Sequence, residues 1–139
     1  MSNVGAYDLE RKLGEGGMGA VWAAVRRSDG LPAAVKLVTR PVAADALRTE
    51  VRATAQLDHP HVVVLYDVGE VGPDDDVPYE VGTPWYVMER AEGDLLQQPP
   101  IDFAELVDVL RQVLEGLAHA HAHGLVHRDL KPENVLWCN

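Results

Sequence analysis

A glycine-rich run near the amino terminus constrains the fold of this chain more than any other feature. Residues 14–21 read GEGGMGAV, the pattern G-x-G-x-x-G-x-V. Without side chains, these glycines let backbone N–H groups approach phosphate oxygens. A dinucleotide-binding fold would start a helix directly after the third glycine, whereas residues 21–25 form a β-branched and aromatic run leading to a hairpin signal at 28–30. The sequence therefore predicts a strand, a glycine turn and a second strand. A glycine-rich hairpin without a ligand is the alternative.

Hydrophobic periodicity predicts both strands and helices in the rest of the chain. The predicted strands are 7–13, 21–25, 33–38, 62–69 and 85–89. Helical spacing covers 44–57, and a second helix begins with the capping box of Asp102 and Glu105. The Pro-, Gly- and Asp-rich stretch 70–84 predicts an exposed loop. The expected fold class is therefore α+β.

Composition limits the partners and compartments that fit this chain. With 139 residues, 47% of them hydrophobic, it can bury the core of one modest domain or of part of a larger one. A net charge of -10 disfavours nucleic acid and anionic membranes as partners. No stretch approaches the ~20 apolar residues of a membrane helix, and the single cysteine, Cys138, cannot form an internal disulfide. We therefore expect a cytoplasmic segment that contacts neither membrane nor nucleic acid.

Residues 127–134, HRDLKPEN, concentrate three chemically different groups. Asp129 provides a proton acceptor and Lys131 a cation for phosphate. Asn134 provides an oxygen ligand for a hard metal ion. Phosphoryl transfer requires these group types near one another.

The order of the motifs carries a resemblance to a known family. The glycine run is followed by Lys36 at the end of an apolar strand and by Glu50 in the next helix. The His59-Pro60 stop and the octapeptide come after them. Lys36 or Glu50 alone would be an ordinary solvated side chain. In this order, the chain from Tyr7 onward resembles the first half of a eukaryotic-like, bacterial-type serine/threonine protein kinase domain.

The resemblance implies a protein-kinase-like fold. Residues 1–90 would form an antiparallel β small lobe with one helix, and residues 91–139 the hinge exit and the beginning of the helical large lobe through the catalytic loop. Because the sequence has no D-F-G and no A-P-E motif, the resemblance implies a domain truncated after the catalytic loop. The missing D-F-G aspartate is the principal magnesium ligand of the family, so we expect this polypeptide alone to be inactive.

The resemblance also implies ATP and Mg²⁺ as cofactors and a protein substrate with Ser or Thr. Lys36 would contact the α- and β-phosphates and pair with Glu50. Asp129 would accept the proton of the substrate hydroxyl, Lys131 would neutralise charge on the γ-phosphate, and Asn134 would ligate Mg²⁺. The nucleotide-binding residues implied are Leu13, Gly14, Glu15, Gly16, Gly17, Met18, Gly19, Val21, Ala34, Lys36, Met88, Glu89, Ala91, Asp94 and Leu136.

Two functions of different classes stay open. The first is an ATP-dependent protein serine/threonine kinase, and the second is a non-catalytic nucleotide-binding or protein-interaction module. Intact catalytic residue types throughout the covered span favour the first. His119 and His123, four apart on one helix face, raise the separate alternative of a transition-metal pair, although no third ligand accompanies them. The apolar stripe from Phe103 to Leu117 predicts a partly exposed surface.

Overall fold

The computed structural model describes residues 2–17, 19–40, 44–91, 93–94, 98–124 and 136–137. They belong to two units, the first within Met1–Ala55 and Leu65–Arg90 and the second within Gln56–Val64 and Ala91–Asn139. Residues 56–64 thus group with the second unit. The assignment of 1–90 and 91–139 to a small and a large lobe stays a proposal.

A six-stranded antiparallel sheet forms most of the first unit, in the order β1-β2-β3-β4-β6-β5. Its strands are β1 (Asn3–Val4), β2 (Tyr7–Gly16), β3 (Gly19–Arg26), β4 (Pro32–Val38), β5 (Leu65–Glu70) and β6 (Pro84–Glu89). The predicted strands are confirmed, but β5 begins at Leu65 rather than at residue 62. The reason is a turn before it, in which the Val62 N–H donates to the carbonyl oxygen of His59 at 3.1 Å.

One helix accompanies this sheet. α1 (Ala44–Ala55) lies where the sequence predicts a helix and packs against β5 and β6. Val51 of this helix is buried, with 7% of its surface exposed. The helix therefore covers the edge of the sheet formed by the last two strands in the order.

The core lies on one face of the sheet. Directly opposed residues of antiparallel strands point to the same face, and successive residues alternate between faces. Val35 lies opposite both Trp22 and Val87, and Leu37 lies opposite Trp85. The buried cluster on this face is Val4, Tyr7, Leu9, Ala24, Ala33, Val35, Leu37, Val71, Trp85 and Val87.

The stretch 70–84 forms a loop at residues 71–83, as its composition predicts, but the loop is not exposed throughout. Val71 is only 2% exposed and belongs to the core, and Val77 and Tyr79 pack against it. The Trp22 indole N–H also donates to the Tyr79 hydroxyl at 3.0 Å. The loop is confirmed, and only its exposure along the whole length is wrong, because a few apolar side chains among Pro, Gly and Asp anchor the stretch to the core.

The second unit contains the long helix and a small strand pair. α2 (Phe103–Ala122) is preceded by Asp102, whose carboxylate accepts from the Glu105 N–H at 2.8 Å and confirms the predicted cap. β7 (Gly93–Asp94) pairs with β8 (Leu136–Trp137). Gly116 of α2 lies so close to the 56–64 segment that a Cβ there would be 2.8 Å from the His61 carbonyl oxygen. A glycine is therefore required at this helix contact.

The apolar stripe of α2 is largely exposed within the part of the unit that the structure describes. Phe103 is 78% exposed and Leu114 64%, whereas Val109 is buried. The predicted exposure is confirmed. None of the helices among the described residues combines the length and the apolar composition that a bilayer-spanning segment requires.

Candidate functional site

The glycine run forms the connection between β2 and β3. β2 ends at Gly16, β3 begins at Gly19, and these two residues lie opposite each other in the register. Met18 lies outside the described residues. The predicted strand, glycine turn and strand are thus confirmed, and the alternative of a helix after the third glycine is wrong.

The glycines of this run differ in what requires them. Gly19 has φ +146°, and a Cβ there would lie 1.9 Å from the carbonyl oxygen of Leu37. Gly14, Gly16 and Gly17 have no such backbone angle, and a Cβ on any of them would meet nothing within 4 Å in the part of the chain described. The fold itself therefore requires Gly19, whereas the other three leave open space above the backbone, where a ligand atom can approach.

The sheet face opposite the core brings several predicted site residues together. Val21 lies opposite Lys36, which lies opposite Tyr86. Two residues along the strands, Ala34 lies opposite Met88. By the alternation of side chains, all five residues share this face, which we call the lysine face.

Lys36 is the charged group of the lysine face. Its side chain is half-buried, and its Nζ lies 6.0 Å from the centroid of the Tyr86 ring. That distance is at the outer limit of a cation–π contact. Because Val21, which lies opposite Lys36, is only two residues after Gly19 at the end of the glycine turn, the register places this cation near the turn.

Tyr86 is a member of the lysine face that the sequence analysis did not name. The signal was available, because Tyr86 precedes Met88 by two residues in a predicted strand, and residues two apart lie on one face. Its position opposite Lys36 depends, however, on β6 pairing with β4. That pairing was not predicted.

Other predicted contacts lie elsewhere in the units. Leu13 falls at the irregularity of β2 between Lys12 and Gly14 and is 37% exposed. The Glu15 carboxylate accepts from the Lys12 ammonium at 2.9 Å. Glu89 is one residue out of phase with the lysine face, so it would bind a ligand there through its backbone rather than its side chain.

In the second unit, two further predicted residues lie opposite each other. Asp94 of β7 pairs with Leu136 of β8. Ala91 is half-buried at the start of the second segment of this unit. These positions agree with neighbouring roles for Asp94 and Leu136, which stay predictions.

The catalytic-loop predictions fall outside the described residues. They concern Asp129, Lys131 and Asn134, and the side chain of Glu50 in α1 also lies outside the description. The Lys36–Glu50 ion pair, the proton acceptor and the magnesium ligand therefore stay predictions.

A histidine cluster joins α2 to the 56–64 segment. The ring centroids of His59 and His119 are 5.0 Å apart, and those of His119 and His123 are 4.5 Å apart. The His61 Nε2 lies 3.3 Å from a carboxylate oxygen of Glu115. Among the described residues, no group of three or more His, Cys, Asp or Glu side chains is arranged to hold a metal ion. The transition-metal alternative thus finds no support in this cluster.

This cluster predicts a pH dependence. Burial, followed by the nearby His123 and His59, lowers the pKa of His119, and Asp58 opposes the shift only weakly. The His119 Nε2 is shielded from water and has no hydrogen-bond partner in the described part of the chain. The unfolded chain therefore takes up a proton at the ordinary histidine pKa of about 6.5, and the folded unit only at lower pH. We expect the free energy of unfolding to fall as the pH drops below about 6.5.

Urea unfolding followed by circular dichroism at pH 7.5 and at pH 5.5 (both about one unit from the ordinary histidine pKa) measures this dependence. The variant His119→Gln should lose part of it. His121→Gln, which changes an exposed histidine of the same helix, is the control and should keep it. An equal pH dependence in both variants would assign it to other groups.

The chain is similar to known proteins over nearly its whole length. A family model described as the protein kinase domain matches residues 7–139. The chain is 37% identical over 142 residues to the serine/threonine-protein kinase PknA of Mycobacterium tuberculosis. It is 34% identical over 142 residues to PrkC of Bacillus subtilis and 35% identical over 145 residues to PknH of Mycobacterium bovis.

These alignments include nearly all of this chain but a small part of each relative. They cover 95%, 95% and 97% of the chain, and 32%, 20% and 23% of PknA, PrkC and PknH. The chain thus spans less than a third of the length of these relatives.

Proposed function

Because the chain belongs to the protein kinase domain family, we propose that it forms the ATP-binding part of a protein serine/threonine kinase. The six-stranded antiparallel sheet with α1 corresponds to the small lobe of that fold, and α2 to the start of its helical part. The relatives are serine/threonine kinases by name. The proposed reaction transfers the γ-phosphoryl group of ATP to a Ser or Thr hydroxyl of a protein.

The main support for this proposal comes from the open glycines, which are the three glycines of the turn with open space above the backbone. Gly14, Gly16 and Gly17 have no packing or conformational reason to be glycine among the described residues. A side chain at these positions would instead occupy the space over the turn, where phosphate oxygens would accept from backbone N–H groups. The same hairpin continues into Val21 and the lysine face.

On the lysine face, the phosphates and the adenine of one nucleotide would bind to different residues. Lys36 has the charge that the α- and β-phosphates require, and Glu50 would orient it from α1. Val21, Ala34 and Met88 offer an apolar surface for adenine on the same face. The backbone of Glu89 would complete this part of the site with hydrogen bonds to the base edge.

The roles proposed for the catalytic-loop residues rest on membership of the family. Asp129 would accept the proton of the substrate hydroxyl, and Lys131 would stabilise charge on the transferred phosphoryl group. Asn134 is an oxygen donor of the type that Mg²⁺ prefers. Because these 139 residues contain no D-F-G aspartate for the metal, we also propose that this polypeptide alone transfers no phosphate, so ATP binding is the property to test.

The variant Gly16→Ala tests the open glycines. We expect it to raise the Kd for ATP about tenfold, because the methyl group keeps the phosphates from the backbone N–H groups. Its melting temperature should stay unchanged, since a Cβ there meets no described atom within 4 Å. Isothermal titration calorimetry with ATP and Mg²⁺ measures the Kd, and circular dichroism the melting.

Gly72→Ala is the matched control. Gly72 has an ordinary backbone angle, and its Cβ would make only a normal contact at 3.6 Å with Asp75. It should bind ATP like the unmodified protein. If Gly16→Ala binds ATP as tightly as the unmodified protein, the glycine turn is not part of the site. If the unmodified protein binds no ATP, the proposed function is overturned.

A further inference from the structure

Arg90, directly after β6, makes a set of contacts that the proposed function does not use. Its Nε donates to the Ala33 carbonyl oxygen at 3.1 Å. Its Nη2 donates to the Glu10 carboxylate at 2.8 Å and to the Ala24 carbonyl oxygen. The Arg90 side chain is 28% exposed, so loss of an acceptor would leave a donor partly removed from water. The three acceptors belong to three different strands, β4, β2 and β3.

These contacts connect strands that the backbone does not pair. In the sheet order, β4 and β3 lie between β6 and β2. Ladder hydrogen bonds join only adjacent strands. The Arg90 side chain therefore connects the end of β6 directly to β2, the strand that continues into the glycine turn.

An irregularity of β2 places Glu10 for this contact. The register shifts between Leu9 and Arg11, which leaves Glu10 without a Cα partner in β3. Bulges of this kind bend a strand and redirect a side chain. The redirected carboxylate is the one that Arg90 binds.

We infer that Arg90 is a positioning residue that holds the end of β6 at Glu89 at a set distance from β2, across β4 and β3. It would thereby set the spacing between the adenine-binding backbone of Glu89 and the phosphate-binding glycine turn. This inference rests on the proposed function, because it assumes that both segments bind one nucleotide. A guanidinium suits the task, since its donors lie in a rigid plane and can bind several acceptors at once. Holding the two segments in place before ATP arrives lowers the ordering cost of binding.

Arg90→Met tests the inference, with Arg27→Met as the matched control. Arg27 also joins a carboxylate and a backbone carbonyl, donating to Asp8 at 2.9 Å and to the Gly5 carbonyl oxygen, but it lies in the β3–β4 turn. The first measurement is amide hydrogen exchange of the nucleotide-free protein. The second is titration with ATP, at a temperature well below the melting temperature of every variant.

We expect Arg90→Met to speed exchange at residues 88–91 and 10–14 together and to raise the Kd for ATP about tenfold. Arg27→Met should change neither, even where it lowers the melting temperature. Arg90→Lys, which keeps the charge but has fewer coplanar donors, should recover part of the ATP affinity. If Arg90→Met does not fold, Glu10→Gln gives the same test with one weakened acceptor and a smaller change.

The outcomes separate this inference from the proposed function. Unchanged exchange in Arg90→Met overturns the connection between β6 and β2. Faster exchange with unchanged ATP affinity overturns the positioning role. If the unmodified protein binds no ATP, the proposed function and the positioning role both fail, whereas the exchange data alone still decide whether Arg90 connects the two strands.

Discussion

Gly19→Ala is expected to destabilise the first unit by about 3 kcal/mol, a large part of the stability of a small domain. Two effects add. The backbone angle of φ +146° is unfavourable for a residue with a side chain, and the new methyl group would lie 1.9 Å from the Leu37 carbonyl oxygen. Because that oxygen belongs to the β4 backbone, rotation of a side chain cannot remove the clash. Instead, β3 and β4 would have to move apart. Urea unfolding followed by circular dichroism measures the loss.

Gly17→Ala, two residues earlier in the same turn, is the control for this prediction. Its Cβ would meet no described atom within 4 Å, and its backbone angle is ordinary. We expect its free energy of unfolding to change by less than about 0.5 kcal/mol. Equal destabilisation by both variants would mean that the turn as a whole, rather than the contact with Leu37, requires glycine.

Lys36→Met is expected to weaken ATP binding roughly 30-fold, the largest loss of affinity that the site predicts. The variant keeps the length and apolar character of the side chain and removes the cation that would bind the α- and β-phosphates. A charge-assisted hydrogen bond contributes about 2 kcal/mol, which corresponds to that factor. Calorimetric titration with ATP and Mg²⁺ measures it.

Lys12→Met is the control, since it removes a lysine from β2, another strand of the same sheet. Lys12 lies opposite Trp22, which packs against the core, and its ammonium pairs with Glu15 at 2.9 Å. It should bind ATP with unchanged affinity. If Lys36→Met binds ATP as tightly as Lys12→Met, the assignment of Lys36 to the phosphates is wrong, while ATP binding by both would leave the rest of the proposed function standing.

Features that depend on near neighbours were predictable from the sequence. The glycine turn follows from the glycines and the β-branched run after them, and the start of α2 follows from Asp102 and Glu105, three residues apart. In each case the interacting groups are close along the chain. Local residue preferences therefore suffice.

Features that depend on distant packing were predicted less well. The stretch 70–84 has the composition of a loop, yet Val71 is buried and Tyr79 binds Trp22, 57 residues earlier. The contact of Arg90 with Glu10 spans 80 residues and depends on an irregularity of β2. No local pattern marks either contact.

The sequence by itself determined the family, the alternation of strands and helices, and the residue types available for phosphate chemistry, because these depend on motif order and on near neighbours. Only the tertiary structure decided that β4 pairs with both β3 and β6, which places Val21, Ala34, Lys36 and Met88 on one face. It also decided which glycine of the glycine turn the fold requires, since the carbonyl oxygen that excludes a side chain at Gly19 comes from another strand. Strand order and the close approach of distant backbones are set by packing of the whole unit, which no single segment encodes.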